Sequence, residues 1–217
     1  MKWANSGRGG GNRSYHHGNL REALVAAALA LIAEKGPFGF SFVEAARWAG
    51  VSPAAPYRHF RDRDGLMAEV AQRGFEKFAG ALAVAWDDGR PDAMSAFTRV
   101  GRAYLAFARG EPAYYTAMFE AGIALDRHPE LLSASERAFA VLRQGSDALL
   151  TKLPEGAKPP ALMMALHIWA MAHGIASLFG RGDAARRRLP MTADDLLEAG
   201  VLVYLQGLEF SAGDRKA

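Results

Sequence analysis

The sequence predicts an all-α protein of about nine helices, and three observations carry that expectation. Apolar residues recur at helical spacing in segment after segment. No window of comparable length alternates polar and apolar residues with period 2. The segment boundaries carry helix punctuation, with Ser, Asp or Thr before a start, Pro in a first turn and Gly after an end. With 217 residues, 50% of them apolar, the chain can bury a core of ordinary size in one or two domains, and it shows no repeat of fixed period. Cysteine is absent, which excludes disulfide scaffolds, thiolate metal sites and cysteine nucleophiles.

Taken in order, residues 1–18 (MKWANSGRGGGNRSYHHG) contain no apolar run. They read as a flexible basic arm and not as a signal peptide, so a cytoplasmic protein is expected. Asn19 is placed to cap a first helix in which Leu20, Leu24, Ala27, Ala28 and Leu31 share one face, ending at Lys35-Gly36-Pro37. Ser41 with Glu44 makes a capping box for a short second helix over 42–49, stopped by Gly50. Ser52 should cap a third, with Pro53 in its first position, running to about Phe60. Asp62 opens a long helix to about Ala85. Further helices are expected from Asp92 to Arg109, Pro112 to about Leu125, Pro129 to about Lys152, Pro160 to Phe179 and Thr192 to about Phe210. Between Pro159 and Gly180 no Asp, Glu, Lys or Arg occurs, and that length would permit a membrane span. His167 and His173 near its middle, with no companion span, favour a helix buried in a bundle or at a subunit interface.

Charge is unevenly distributed. Residues 1–66 hold nine Lys/Arg against five Asp/Glu, whereas the remainder holds 17 against 18, so a basic front end precedes a near-neutral body. Within that front end, 41–60 (SFVEAARWAGVSPAAPYRHF) reads as two short helices flanking the turn Ala49-Gly50-Val51-Ser52, the size of a helix-turn-helix. Ala46 is small where the helices must approach, and Gly50 can supply a positive φ. The small residues Ser52, Pro53, Ala54 and Ala55 let the backbone come close to a groove about 12 Å wide, while Tyr57, Arg58 and His59 project from the far end. Tyr57 could equally close the three-helix core with its ring, and Arg58 and His59 could be ordinary surface charge.

This segment resembles the TetR/AcrR type of bacterial transcriptional regulator. The residues that match are Ser41 opening the second helix, Ala49 to Ser52, the small Ala54 and Ala55, Tyr57 with Phe60, and Arg61 to Leu66 leading into an apolar fourth helix. Two positions depart from the pattern. Pro56 stands inside the third helix, where it should cost only the first intrahelical bond. Arg63 replaces a lysine, exchanging a point cation for a planar fork. Farther on, Trp169, His173 and Gly174 (WAMAHG) resemble the Trp-His-Gly signature of one group of C-terminal ligand domains in that family. The resemblance implies a flexible arm over 1–18, a DNA-binding head over 19–66 and a ligand-binding and dimerisation body over 67–217. It also implies DNA contacts by Ser41, Phe42, Ser52, Pro53, Ala54, Ala55, Tyr57, Arg58, His59 and Arg63, together with Tyr15, His16 and His17 of the arm. The protein would be a one-component regulator, a homodimeric repressor on a palindromic operator, relieved by a small molecule.

The body supplies candidates for both remaining roles. Phe97, Tyr104, Phe107, Tyr114, Tyr115, Met118, Phe119, Met163, Met164, Trp169 and Met171 are more aromatic and methionine side chains than simple helix contacts require. They are expected to line an adaptable cavity for an apolar or aromatic effector, although each alone could be core. Glu120, His167 and His173 could orient one end of that effector, His173 being alternatively a core histidine beside Trp169. Leu196, Leu197, Val201, Tyr204, Leu205 and Leu208 form a broad apolar surface on the last helix, expected to dimerise about a two-fold axis. Nothing suggests catalysis. His167 and His173 lie on different helix faces, no Glu-x-x-His pair occurs, the glycine run at 7–11 follows no strand, and no nucleophile, base and orienter assemble. No metal, cofactor or enzymatic activity is expected. The competing readings are a helical interaction protein, or an enzyme that binds a small molecule and no DNA. Salt-dependent binding to a short palindrome would separate the regulator from both.

Overall fold

A computed structural model describes residues 20–153, 158–180 and 189–213, with side chains to Leu208. The chain forms α1 (Leu20–Lys35), α2 (Phe42–Trp48), α3 (Arg63–Trp86), α4 (Ala93–Gly110), α5 (Pro112–Phe119), α6 (Pro129–Leu150), α7 (Ala161–Gly180) and α8 (Ala193–Gly213). No strand occurs among the described residues. The starts are those the punctuation dictates. Ser41 and Glu44 form the reciprocal box, in which Ser41 N–H donates to the Glu44 carboxylate at 2.8 Å and Ser41 Oγ accepts from Glu44 N at 3.2 Å. That backbone donor, with Lys35 Nζ at 3.0 Å, holds the Glu44 carboxyl down at about 2. Asp62 accepts from Gly65 N, Asp92 accepts from Ser95 N, and Thr192 with Asp195 repeats the reciprocal box. Asn19, the expected cap of α1, lies outside the described residues.

Two elements differ from expectation. The third helix is not an α-helix capped by Ser52; it is a single 3-10 turn, Ala55–Arg58. Pro56 lacks the N–H that an α-helix would send back to Ser52 O; Ala55 N bonds Ser52 O instead, and His59 N and Phe60 N both reach Pro56 O. The bond anticipated as lost at Pro56 is thus replaced by an i to i+3 bond, and the segment winds as a 3-10 turn. Secondly, α5 stops at Phe119 instead of continuing to Leu125. Gly122 turns the chain at φ 65°, and Leu125–Arg127 form a separate 3-10 turn leading into α6.

The long helix α3 is the axis of the molecule. It packs on α1, α4, α5 and above all α6. Of the expected α1 face, Leu24, Ala27, Ala28 and Leu31 are buried in one core with Leu66, Met67 and Val70 of α3, and Leu20 is half-buried. Among the described residues α7 is the one helix long and apolar enough to cross a membrane. Its Met164, Ala165, Ile168, Ala172 and Ala176 are buried, and it packs against α4, α6 and α8.

Gly145 sets how closely α6 approaches α3 and α4. A Cβ there would lie 2.5 Å from Phe97 Cδ2 and 3.3 Å from Trp86 Cζ3. Gly145→Ala is therefore expected to destabilise by ~1–2 kcal/mol, overpacking outweighing the helix-propensity gain. Gly80→Ala, in open space on α3, should stabilise by a few tenths of a kcal/mol up to about 1 kcal/mol. Urea midpoints shifting in opposite directions would bear this out; equal shifts would refute it.

Candidate functional site

The amino-terminal helices present a polar turn on a hydrophobic stem. Ala46 is fully buried at the crossing of α2 with its neighbours, and Gly50 takes φ 73° to turn the chain. The turn then exposes Ser52, Pro53, Ala54, Arg58 and His59, leaving Ala55 half-buried. Tyr57 has one face in the core and one in solvent. Its ring packs edge-on against Phe42 with centroids 5.1 Å apart, yet the residue remains 60% exposed. Phe42 itself is buried in this core, so its ring is unavailable for contact with DNA, whereas Ser41 is exposed beside it. A groove of about 580 Å³ runs between this turn and Leu20 at the start of α1, lined by Gly50, Ala54, Arg58 and His59 among others. Tyr15, His16 and His17 lie outside the described residues.

Arg63 does not project as a phosphate contact. Its Nε donates to Phe40 O at 2.9 Å, a second guanidinium nitrogen donates to Pro37 O, and the guanidinium sits 4.7 Å from the Phe40 ring centroid. The planar fork that replaces lysine ties the start of α3 to the α1–α2 loop. Arg63→Ala is accordingly expected to lower stability by ~2–3 kcal/mol, two hydrogen bonds to a charged group being lost. The slope of log affinity against log salt should stay unchanged in the folded fraction. A slope flattened by about one unit with parental stability would return Arg63 to the phosphates.

In the body, a cleft of about 420 Å³ opens between α3, α5, α6 and α7. Of the side chains expected there, Met118, Phe119 and Trp169 line it. The others serve elsewhere. Phe97 fills the space left by Gly145 and borders a smaller cavity of about 90 Å³ between α4, α7 and α8. Phe107 packs on Phe78, Tyr114 lies under Lys77 Nζ, Met164 is core and Met171 touches α8 at Gly200. Met163 and His167 are exposed on the opposite face of α7, where His167 Nδ1 lies 3.1 Å from Tyr204 Oη. The cleft instead recruits Phe75 and Phe78 of α3, Ile123 and Leu125 of the α5–α6 loop, Ser135, Glu136, Phe139 and Leu142 of α6, and Leu166 of α7. The i, i+3 pair Phe75/Phe78 and the lone Phe139 are the available sequence signals, and neither stands out from an ordinary core stripe.

Behind the cleft wall lies a polar chain. Trp169 Nε1 donates to Tyr104 Oη at 3.1 Å, Tyr104 Oη lies 3.3 Å from Tyr115 Oη, and Tyr115 Oη lies 2.8 Å from His173 Nδ1. Indole N–H can only donate, so the chain satisfies each hydrogen when Tyr104 donates to Tyr115 and Tyr115 to His173 Nδ1. Burial pushes the Tyr104 phenol up to about 12 and raises Tyr115 also, with the neighbouring Tyr104 and Glu120 charges adding to the latter. Both remain neutral hydroxyls near pH 7. At Nδ1, His173 is thus held by phenols. It stacks on Tyr115 at 5.6 Å and meets Phe119 edge-on at 5.1 Å.

The last helix uses its apolar residues in two directions. Leu197 and Leu205 are buried within the subunit, packing α8 on α4 and α7, while Leu196, Val201, Tyr204 and Leu208 are half-buried. Leu202 and Val203, absent from the expected surface, are the exposed ones at 50% and 68%. Beside them α7 exposes Met163, Ala170 and Gly174. Among the described residues no cluster of three or more His, Asp or Glu could hold a metal.

A helix-turn-helix with an exposed basic turn, joined by one continuous helix to an all-α body with an aromatic cleft, is the build of a DNA-binding regulator. Comparison with known families agrees. Residues 24–70 match the family described as bacterial regulatory proteins, tetR family, and residues 97–204 match the tetracyclin repressor-like C-terminal domain. Together the two matches cover well over half of the chain, which belongs to the TetR family of transcriptional regulators. It is a DNA-binding transcriptional regulator. Among solved structures, a protein of unknown function from Rhodococcus sp. RHA1 is 28% identical, with TM-score 0.73 over 91% of this chain and 100% of that one. The TetR family regulator PfmR from Thermus thermophilus is 18% identical with TM-score 0.59, over 87% and 94%. The fatty acid degradation regulator FadR from Bacillus halodurans is 12% identical with TM-score 0.63, over 88% and 95%. The latter two likenesses concern the fold. Comparison with curated proteins gives no match.

Proposed function

We propose that the protein is a homodimeric repressor of a palindromic operator, released from DNA when a small apolar molecule enters the α3/α5/α6/α7 cleft. The observation that carries this reading is the junction between cleft and head. Gly122, in the cleft lining, lies against Phe38 of the α1–α2 loop, whose ring tip would be 3.8 Å from a Cβ built at position 122. The same loop is held by Arg63 at the start of α3, so an occupant that shifts Gly122 acts on the element that orients the recognition turn. The chain divides functionally into an arm (1–18), a head (19–66) and a body (67–217). Ser52, Pro53, Ala54, Ala55, Tyr57, Arg58 and His59 meet the major groove, with Ser41 on the flanking phosphates.

Dimerisation uses α7 and α8 of each subunit, with Leu202, Val203 and Met163 at the centre of a four-helix contact about a two-fold axis. Such a regulator works beside the chromosome, in the cytoplasm, and catalyses nothing. The test is selection of bound fragments from genomic DNA at moderate salt, followed by anisotropy titration of the best site. A palindrome bound by two subunits, with affinity falling steeply as salt rises, is the expected result. Absence of any preferred sequence would remove the reading.

A further inference from the structure

Taking the cleft as the effector site proposed above, we infer that its occupant is an organic monocation: an ammonium or similar cation carried on an aromatic or alkyl body. Four rings form a continuous wall. Phe75 meets Phe119 at 5.4 Å, Phe119 meets Trp169 at 6.2 Å, and Trp169 meets Phe139 at 6.0 Å. Their faces carry negative quadrupole charge and attract a weakly hydrated cation.

The polar groups of the lining have the same sign. Glu136 is its one charged side chain, exposed at the mouth and without an ion pair among the described residues. Among the described residues no lysine, arginine or histidine lines the cleft. Ser135 Oγ already donates to Leu132 O at 2.8 Å, and Trp169 Nε1 donates to Tyr104, so the side chains offer acceptors and π-faces with no free donor. A carboxylate or phosphate head group would find no side-chain donor there and would face the Glu136 carboxylate. A neutral body gains from the apolar wall alone, and a cation gains from wall and carboxylate together.

Three probes that share one body isolate the head group: phenylbutyltrimethylammonium, phenylbutanol and phenylbutanoate, each titrated calorimetrically into the full-length protein. The ammonium is expected to bind about tenfold tighter than the alcohol, and the carboxylate at least about tenfold weaker than the alcohol. Glu136→Gln should erase most of the ammonium's advantage and leave alcohol binding unchanged. Phe139→Leu, which keeps the cleft apolar, should weaken the ammonium more than the alcohol. A carboxylate that binds as well as the ammonium, an undiminished gap in Glu136→Gln, or no binding by any probe overturns the inference. Operator affinity measured on the same protein keeps the two readings apart. Ammonium that binds selectively without releasing DNA leaves the cleft chemistry standing and removes the effector role, whereas operator release by another class of compound does the reverse.

Discussion

Val203→Glu is expected to leave a folded monomer that has lost the operator. The side chain is 68% exposed in the isolated subunit, so a carboxylate there costs the fold little, yet in the proposed dimer two such charges would face each other in an apolar contact. Losing the second head removes the advantage of binding both half-sites together, roughly a hundredfold or more in affinity. Sedimentation velocity at micromolar concentration and anisotropy on the palindrome read the two effects, and circular dichroism should show parental helicity. Leu197→Glu is the informative contrast: Leu197 is buried within one subunit, so this variant should lose stability before it loses the dimer. A Val203→Glu protein that stays dimeric, or a parent that is itself monomeric, would refute the α7/α8 interface.

Tyr104→Ala should be the most damaging single substitution in the body. The side chain is fully buried, packs edge-on against Phe78 at 5.0 Å, and is the acceptor for Trp169 and neighbour of Tyr115 in the polar chain. Deleting the ring costs ~3–5 kcal/mol in cavity and lost contacts, a large fraction of the total stability of a typical domain. Tyr104→Phe keeps the ring and removes only the oxygen, stranding the Trp169 N–H; the expected cost is ~1–3 kcal/mol. Urea unfolding of both variants gives the split. A Phe variant as stable as the parent would mean that the hydroxyl is replaced by water and the chain carries no structural role.

The residues easiest to read from sequence are those whose chemistry is local. Ser41 and Glu44 meet within one turn, Asp62 and Asp92 reach their own N3 amides, and Gly50 must take a positive φ whatever packs around it. Pro56 misleads because the carbonyl it cannot serve, Ser52 O, takes Ala55 N instead, so the missing bond changes the winding of the segment. Arg63 reads as a phosphate contact by charge and position, but its fork finds carbonyls more than twenty residues earlier, a tertiary contact with no trace in spacing. The same limit governs the cleft. Met118, Phe119 and Trp169 are legible because they sit in aromatic-rich stretches, whereas Phe75, Phe139 and Glu136 join them only when α3, α6 and α7 are brought together. His167 and His173 look alike in sequence; six residues along a helix send one to the outer surface and the other to the buried phenols.

The continuity of α3 from the head into the body has a mechanical consequence. At 24 residues it is about 36 Å long, a stiff rod with Arg63 at one end and Trp86 wedged beside Gly145 at the other. A tilt of about 5° around the wedged end sweeps the Arg63 end through about 3 Å. In a two-fold pair the two sweeps add, changing the distance between reading turns by about 6 Å, a sizeable error against a helical repeat of about 34–36 Å. In the proposed dimer the fold would therefore act as a pair of calipers whose jaws gauge the DNA, and a displacement near the cleft too small to unpack any helix would be enough to spoil the measurement.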